Sequence, residues 1–178
     1  MITYEALAKM AENAGFTACA PLEASAIELK EEVRDMCASS ACGQYGKNWS
    51  CPPGCGTLED CRRRLQGFTR GILVQTVGEI EDSYDFEAMM EAEAAHREHF
   101  QEMYAVLRRQ GERVLALGSG CCGRCASCTY PAQPCRFPEE MTSSMEAFGI
   151  LVLEVCRTSG LPYYYGPDHI AYTGCFLL

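Results

Sequence analysis

The pattern of hydrophobic and polar positions alternates between helical and extended stretches along the chain. A helix is predicted over residues 4–14, because Thr3 can cap its start and Gly15 can end it. The short apolar run over residues 16–20 predicts a buried strand.

Three later serines and threonines mark further helix starts. Ser25, with Glu28 three residues on, predicts a capped second helix that ends near Cys37, and Thr57 predicts the cap of a third helix. Ser143, with its own glutamate three residues on, predicts the start of a fifth helix. The other predicted elements are a strand over 71–78, a helix over 84–110, a strand over 114–117, the end of the fifth helix before Gly160, and a strand over 170–178.

Helices that alternate with short strands predict an α/β or α+β fold, with helices packed on a small mixed β-sheet. The length of 178 residues fits a single domain over residues 1–178, and the hydrophobic fraction of 48% is enough for a core. Two cysteine-rich loops, at about 37–61 and 121–138, interrupt this pattern. We therefore expect the chemistry of the protein in these loops.

Charge and targeting signals exclude several classes of function. The formal net charge of −9 argues against a nucleic-acid partner and suits a basic redox partner protein. No apolar run is long enough to predict a membrane span, and the first residues do not resemble a secretion signal. We expect a cytoplasmic protein, and the sequence does not predict its oligomeric state.

The chain has thirteen cysteines, an odd number, and no export signal. In a reducing compartment, such richness indicates metal or redox chemistry rather than disulfides.

The densest cysteine pattern is C-x2-C-x2-C-x6-C. It is formed by Cys122, Cys125, Cys128 and Cys135, within fourteen residues. Thiolates are soft ligands, and the C-x2-C-x2-C opening is typical of proteins that hold an iron–sulfur cluster. Zinc held by four thiolates is the alternative, because it accepts the same donors. We expect the adjacent Cys121 to point away from the site of Cys122.

A second set of ligands is predicted in the first loop. Cys37, Cys42, Cys51 and Cys55 suffice for a second cluster, with glycines and the Pro52–Pro53 pair shaping the loop between them. The alternative is that some of these residues are reduced thiols packed as small hydrophobic side chains.

Several other cysteines and one histidine are expected in the core, because they fall on apolar helix faces or predicted strands. These residues are Cys19, Cys61, Cys156, Cys175 and His96.

Three segments together resemble a known family. They are Cys42–Pro53 (CGQYGKNWSCPP), Cys125–Pro138 (CASCTYPAQPCRFP) and Ser144–Gly149 (SMEAFG). This combination is similar to a family of cysteine-rich, predicted metal-binding proteins of unassigned function. The resemblance implies metal binding through these cysteines, as iron–sulfur, and brings no assigned reaction. Cys55 and Cys61 lie outside the matched segments.

The leading hypothesis from the sequence is a protein that carries one or two [4Fe–4S] clusters in electron transfer. Four thiolates saturate a cluster and leave no open iron, which favours electron relay over substrate chemistry. A zinc-stapled binding or scaffold module is one alternative. The other is an enzyme whose cluster has three cysteine ligands and binds substrate at the fourth iron, so the sequence leaves open whether the protein is an enzyme.

Overall fold

Five strands form one mixed sheet in the computed structural model, which describes residues 2–39 and 41–178. Their order across the sheet is β1-β2-β5-β3-β4; the β3–β4 pair is parallel and the other pairs are antiparallel. The strands are β1 (Ala18–Glu23), β2 (Arg70–Glu79), β3 (Leu115–Gly118), β4 (Ser143–Ser144) and β5 (His169–Leu177). This α+β architecture confirms the small mixed sheet that the sequence predicts.

Helices cover both faces of the sheet. They are α1 (Tyr4–Ala14), α2 (Glu31–Ala38), α3 (Leu58–Leu65), α4 (Phe86–Arg109) and α5 (Val152–Ser159). None of the helices in the described ranges is long and apolar enough to cross a lipid bilayer.

The two central strands are buried on both faces, so their side chains alternate between two cores. Phe176 of β5 packs with α1 and α4 on one face and stacks on Phe100, with the ring centroids 4.5 Å apart. Cys175 and Leu177, its neighbours in the strand, pack with α3 and α5 on the other face. Period-two alternation of this kind is expected of an extended strand between two layers.

Local capping signals define two of the predicted helices well. Helix α1 has the predicted bounds, and Thr3 accepts a hydrogen bond from the backbone of Ala6 while Gly15 adopts φ +101°. Thr57 caps α3 as predicted, in a capping box with Asp60. Strand β1 lies two to three residues later than predicted, because its backbone pairs with β2 over residues 18–23.

The predicted start of the second helix at Ser25 is wrong. A short 3-10 turn occupies Ala24–Ala26, and α2 begins only at Glu31. The intervening segment is held in extended form, because the N–H of Lys30 donates to the carbonyl of Gly149 at 2.8 Å and Leu29 forms a β-bridge with Ile150. Pairing with a distant segment has overridden the local cap.

The predicted start of the fifth helix at Ser143 is wrong for a similar reason. Ser143 and Ser144 pair with β3 as a strand, a 3-10 turn follows at Glu146–Phe148, and Gly149 adopts φ +82°. Helix α5 then begins at Val152. Gly149, in its left-handed conformation, thus separates two segments that the sequence pattern predicts as one helix.

The expected core residues are buried. Cys61, Cys156 and Cys175 are 0% exposed and His96 is 2% exposed, whereas Cys19 is only partly buried. Cys61, Cys156, Cys175 and His96 are thus buried as predicted, and Cys19 packs against the edge of the core.

Candidate metal centre

The two cysteine-rich loops lie against each other. The backbone N–H of Cys122, in the second loop, donates to the Oγ of Ser50, in the first, at 2.9 Å. The indole N–H of Trp49 donates to the carbonyl of Gln133 at 3.0 Å, and its ring meets that of Tyr130 edge-on, with the centroids 4.9 Å apart. Segments separated by some seventy residues of chain thus form one cysteine-rich region.

The first loop is shaped by one buried amide and one glycine. The Oδ1 of Asn48 accepts from the backbone N–H of Ser50 at 3.1 Å and from its hydroxyl at 2.7 Å. A Cβ atom on Gly54 would lie 2.4 Å from the carbonyl oxygen of Asn48, which is closer than real Cβ contacts come. Only glycine therefore allows the chain to fold back this tightly next to Cys51 and Cys55.

A cavity of about 590 Å³ lies between α2, the first loop and the start of the second loop. Its wall is mainly apolar and includes Val33, Met36 and Pro52. Four thiols from these three segments line it, those of Cys37, Cys42, Cys51 and Cys121. A cavity of this size is in the range that holds a cofactor or a small ligand.

Burial raises the pKa of three of the cavity thiols. It raises the pKa of Cys51 to about 11, and the nearby Cys121 and Cys42 add to this rise. Burial also raises the pKa of Cys37 and that of Cys121. A metal that binds here must displace the protons of these thiols, so its uptake would release protons and depend on pH.

Charged side chains from α4 reach the same cavity. Arg97 and Glu93 both line it and form an ion pair at 3.0 Å. Arg97 also extends beneath the second loop, where a Cβ on Gly123 would lie 2.6 Å from its Nη1. The guanidinium of Arg97 lowers the pKa of Cys121, although burial outweighs this effect. Neither residue is predicted from the sequence, in which their spacing of four on a long helix is the available signal.

Cys55, predicted as a ligand with the first loop, does not line the cavity. It is buried, and its thiol donates to the carbonyl of Ala147 at 3.7 Å. It also interacts with Cys61, whose pKa falls to about 7 because of the hydrogen bond with Cys55 and the charge of Arg34. The Nη1 of Arg34 lies 3.7 Å from the Sγ of Cys61. Cys55 and Cys61 thus form a buried pair behind the cavity wall, and Cys51 is close enough to contribute to the raised pKa of Cys55.

The second loop exposes its cysteines more than the first. Cys128 is exposed, while Cys122, Cys125 and Cys135 are partly buried. Backbone and side-chain hydrogen bonds shape the loop: the hydroxyl of Thr129 donates to the carbonyl of Pro134 at 2.8 Å. Ser127, next to Cys128, accepts from the guanidinium of Arg136 at 2.9 Å.

The chemistry of this region fits a metal bound by thiolates. All thirteen cysteines are free thiols, and the loops supply more soft donors than one centre requires. Within residues 2–39 and 41–178, no three His, Cys, Asp or Glu side chains are placed so that they could hold a metal ion. One tetrahedral zinc ion needs thiolates about 3.8 Å apart, given Zn–S bonds of about 2.3 Å. The ligand sets assigned from the sequence therefore stay predictions.

Comparison with known protein families shows the family to which the chain belongs. A family described as predicted metal-binding protein (DUF2284) matches residues 20–178, which include both cysteine-rich loops, strands β2 to β5 and most of β1. The chain belongs to this family. No curated protein and no solved structure matches the chain. Membership in DUF2284 confirms the resemblance seen in the sequence and supports metal binding as the general property of the chain.

Proposed function

We propose that this DUF2284 protein holds one or two [4Fe–4S] clusters through its loop cysteines and transfers electrons. The observation that carries the proposal is the packing of the two cysteine-rich loops against each other through the Ser50–Cys122 and Trp49–Gln133 hydrogen bonds. A cluster held by four thiolates supplies reversible one-electron exchange when bound.

The second loop is the first site in this proposal. Its three cysteines at successive two-residue gaps, Cys122, Cys125 and Cys128, favour a cubane cluster over zinc, and Cys135 completes the set. The partly exposed position of this loop would let a partner protein approach the site closely.

A cationic side chain beside the second loop would partly compensate the negative charge of a bound cluster. Arg124 lies beside Cys122 and Cys125 but is paired with Glu140 at 2.5 Å, and its guanidinium stacks over Phe137 at 4.2 Å from the ring centroid. Hydrogen bonds, burial and nearby charge set the potential of such a cluster, so this ion pair is one way in which the protein would tune it.

The overall charge favours a basic partner. The net charge of −9 would steer a positively charged redox protein towards the molecule at low ionic strength. A cytoplasmic location belongs to the same proposal, because a reducing compartment keeps thiols available as ligands.

Anaerobic purification followed by iron, acid-labile sulfide and zinc analysis tests the proposal. We expect equal iron and sulfide, at about four of each per cluster, with a broad absorption near 400 nm that bleaches on reduction. Zinc at one or two per chain without sulfide would support the zinc-stapled module instead.

A pair of variants assigns the first site. Cys125→Ser should lose one cluster's worth of iron and sulfide, whereas Cys19→Ser, a partly buried cysteine outside both loops, should retain the wild-type content. Equal content in wild type and Cys125→Ser would remove the second loop from the proposal.

A further inference from the structure

Four thiols face one cavity, although they come from three separate segments of the chain. We infer that Cys37, Cys42, Cys51 and Cys121 form a second ligand set for a polynuclear metal cluster, with Cys121 in the place that the sequence gives to Cys55. This inference rests on the proposed function, because it uses the same thiolate chemistry, and it adds a second site to that of Cys122–Cys135.

The first step is the separation of two adjacent cysteines. Cys121 lines the cavity together with Arg97 and Glu93. Cys122 is held by its backbone N–H to Ser50 and lies beside Arg124. Cys121 lies at a bend of the chain and lines the cavity, whereas Cys122 does not, so the adjacent pair can serve two sites.

The second step is the position of Cys55. Its thiol donates to the carbonyl of Ala147, Cys61 lies beside it, and it is only 6% exposed. Cys42, by contrast, is exposed at the opening of the cavity. Recruiting Cys55 would require the loss of these buried contacts, whereas Cys121 already faces the cavity.

The third step is the spacing of the thiols. They surround a cavity of about 590 Å³ and do not gather as three donors for one ion within the described part of the chain. A cubane cluster attaches each thiolate to a different iron, so its ligands stand farther apart than those of a single ion. Four cysteines that line one cavity from separate segments therefore suit a polynuclear cluster better than a single ion.

The charge around the cavity also bears on this ligand set. Four thiolates around a cluster leave a net negative site, and burying such a site is costly unless a cation is near. Arg97 lines this cavity and forms an ion pair with Glu93 at 3.0 Å, and Glu146 lines it as well. The guanidinium of Arg97 therefore offsets part of the negative charge next to Cys121, while the two carboxylates oppose it.

The test uses the anaerobically purified full chain and single serine variants. We expect Cys121→Ser to lose about one cluster's worth of iron and sulfide, and Cys55→Ser to retain the wild-type content. Cys121→Ser combined with Cys125→Ser should lose both clusters. The inference is overturned if Cys55→Ser loses the metal and Cys121→Ser keeps it, or if wild type holds one cluster that only Cys125→Ser removes.

Alkylation of the wild-type protein gives a second measurement that does not depend on the folding of a variant. With the cluster bound, Cys42 and Cys121 should resist iodoacetamide, and both should react after the iron is removed by an anaerobic chelator, as read by mass spectrometry. Because Cys42 is exposed in the structure, its protection would have to come from ligation. Equal labelling of Cys42 in both states would overturn the inference. Absence of iron and sulfide from wild type would instead reject the proposed function itself, and the cluster site with it.

Discussion

The Oγ of Ser50 and the backbone nitrogen of Cys122 are joined by a hydrogen bond of 2.9 Å between the two cysteine-rich loops. Ser50 is 1% exposed, and its hydroxyl proton is donated to Asn48 at 2.7 Å. The hydroxyl of Ser50 therefore donates one hydrogen bond within its own loop and accepts another from the second loop.

Ser50→Ala should separate the loops, because it leaves the N–H of Cys122 without its partner. We expect the free energy of unfolding to fall by about 1–2 kcal/mol, the usual cost of such a loss. Chemical denaturation of the protein measures this change. Ser83→Ala, at an exposed position, should change it by less than about 0.5 kcal/mol. Equal stabilities of the two variants would show that the bond contributes nothing.

Trp49→Phe should weaken the second contact between the loops while keeping an aromatic ring against Tyr130. It removes the hydrogen bond to the carbonyl of Gln133, worth about 1 kcal/mol, which corresponds to an approximately fivefold change in rate. We expect iron to be released about fivefold faster to a chelator under anaerobic conditions. The conservative variant Tyr164→Phe, at a side chain that is 70% exposed, should release iron at the wild-type rate.

Gly149→Ala should be more costly than an ordinary substitution at a left-handed glycine. Gly149 has φ +82°, and an added Cβ would lie 2.8 Å from the carbonyl of Lys30 and 2.7 Å from Leu58. Gly160 has φ +77° with no atom within 4 Å of such a Cβ, so Gly160→Ala carries the backbone strain alone. We expect Gly149→Ala to be the less stable of the two by about 1–3 kcal/mol in thermal or chemical unfolding.

Equal unfolding free energies of the two glycine variants would show that the segment at Lys30 moves aside without a loss of stability. The comparison bears on the cavity, since Gly149 follows the turn that carries Ala147.

His96 should make the protein sensitive to acid. Burial, with a smaller contribution from His99, lowers the pKa of His96 to about 4, whereas its ordinary value is about 6.5. The unfolded chain therefore binds a proton that the folded protein does not take up between these values. Stability is fully present above about pH 6.5 and falls as the pH drops towards 4.

His96→Leu should flatten this pH dependence, because leucine does not titrate. We expect the difference in unfolding free energy between pH 7 and pH 5 to shrink by about 2 kcal/mol, measured by denaturation at both pH values. His169→Leu, at a partly exposed histidine paired with Asp168, should keep the wild-type difference within about 1 kcal/mol. An unchanged difference in His96→Leu would mean that His96 is not the group responsible.

The sequence predicts elements best where the signal is local and no distant segment competes. Helix α1 has its predicted bounds because Thr3 and Gly15 act within a few residues of each other. Ser25 and Ser143 carry similar capping signals, but the segments near them are held in extended form by Gly149 and by β3. A single sequence contains no information about these distant partners.

The same distinction applies to the candidate site. The two-residue spacing of Cys122, Cys125 and Cys128 predicts one ligand group, because residues so close in sequence are also close in space. It does not distinguish Cys55 from Cys121 as a neighbour of Cys51, because that choice depends on how the two loops pack. The adjacent pair of cysteines at 121 and 122 already predicts that one of them points elsewhere, but not to which site.

The position of β5 between β2 and β3 has a consequence for biogenesis. Both cysteine-rich loops leave the ribosome before residues 169–177, yet the sheet cannot join its two halves until those residues arrive. The thiols are thus presented to the cell on an unfinished scaffold, where oxidation or the wrong metal can reach them. Binding of the correct metal is therefore best timed after translation, once β5 has joined the two halves of the sheet.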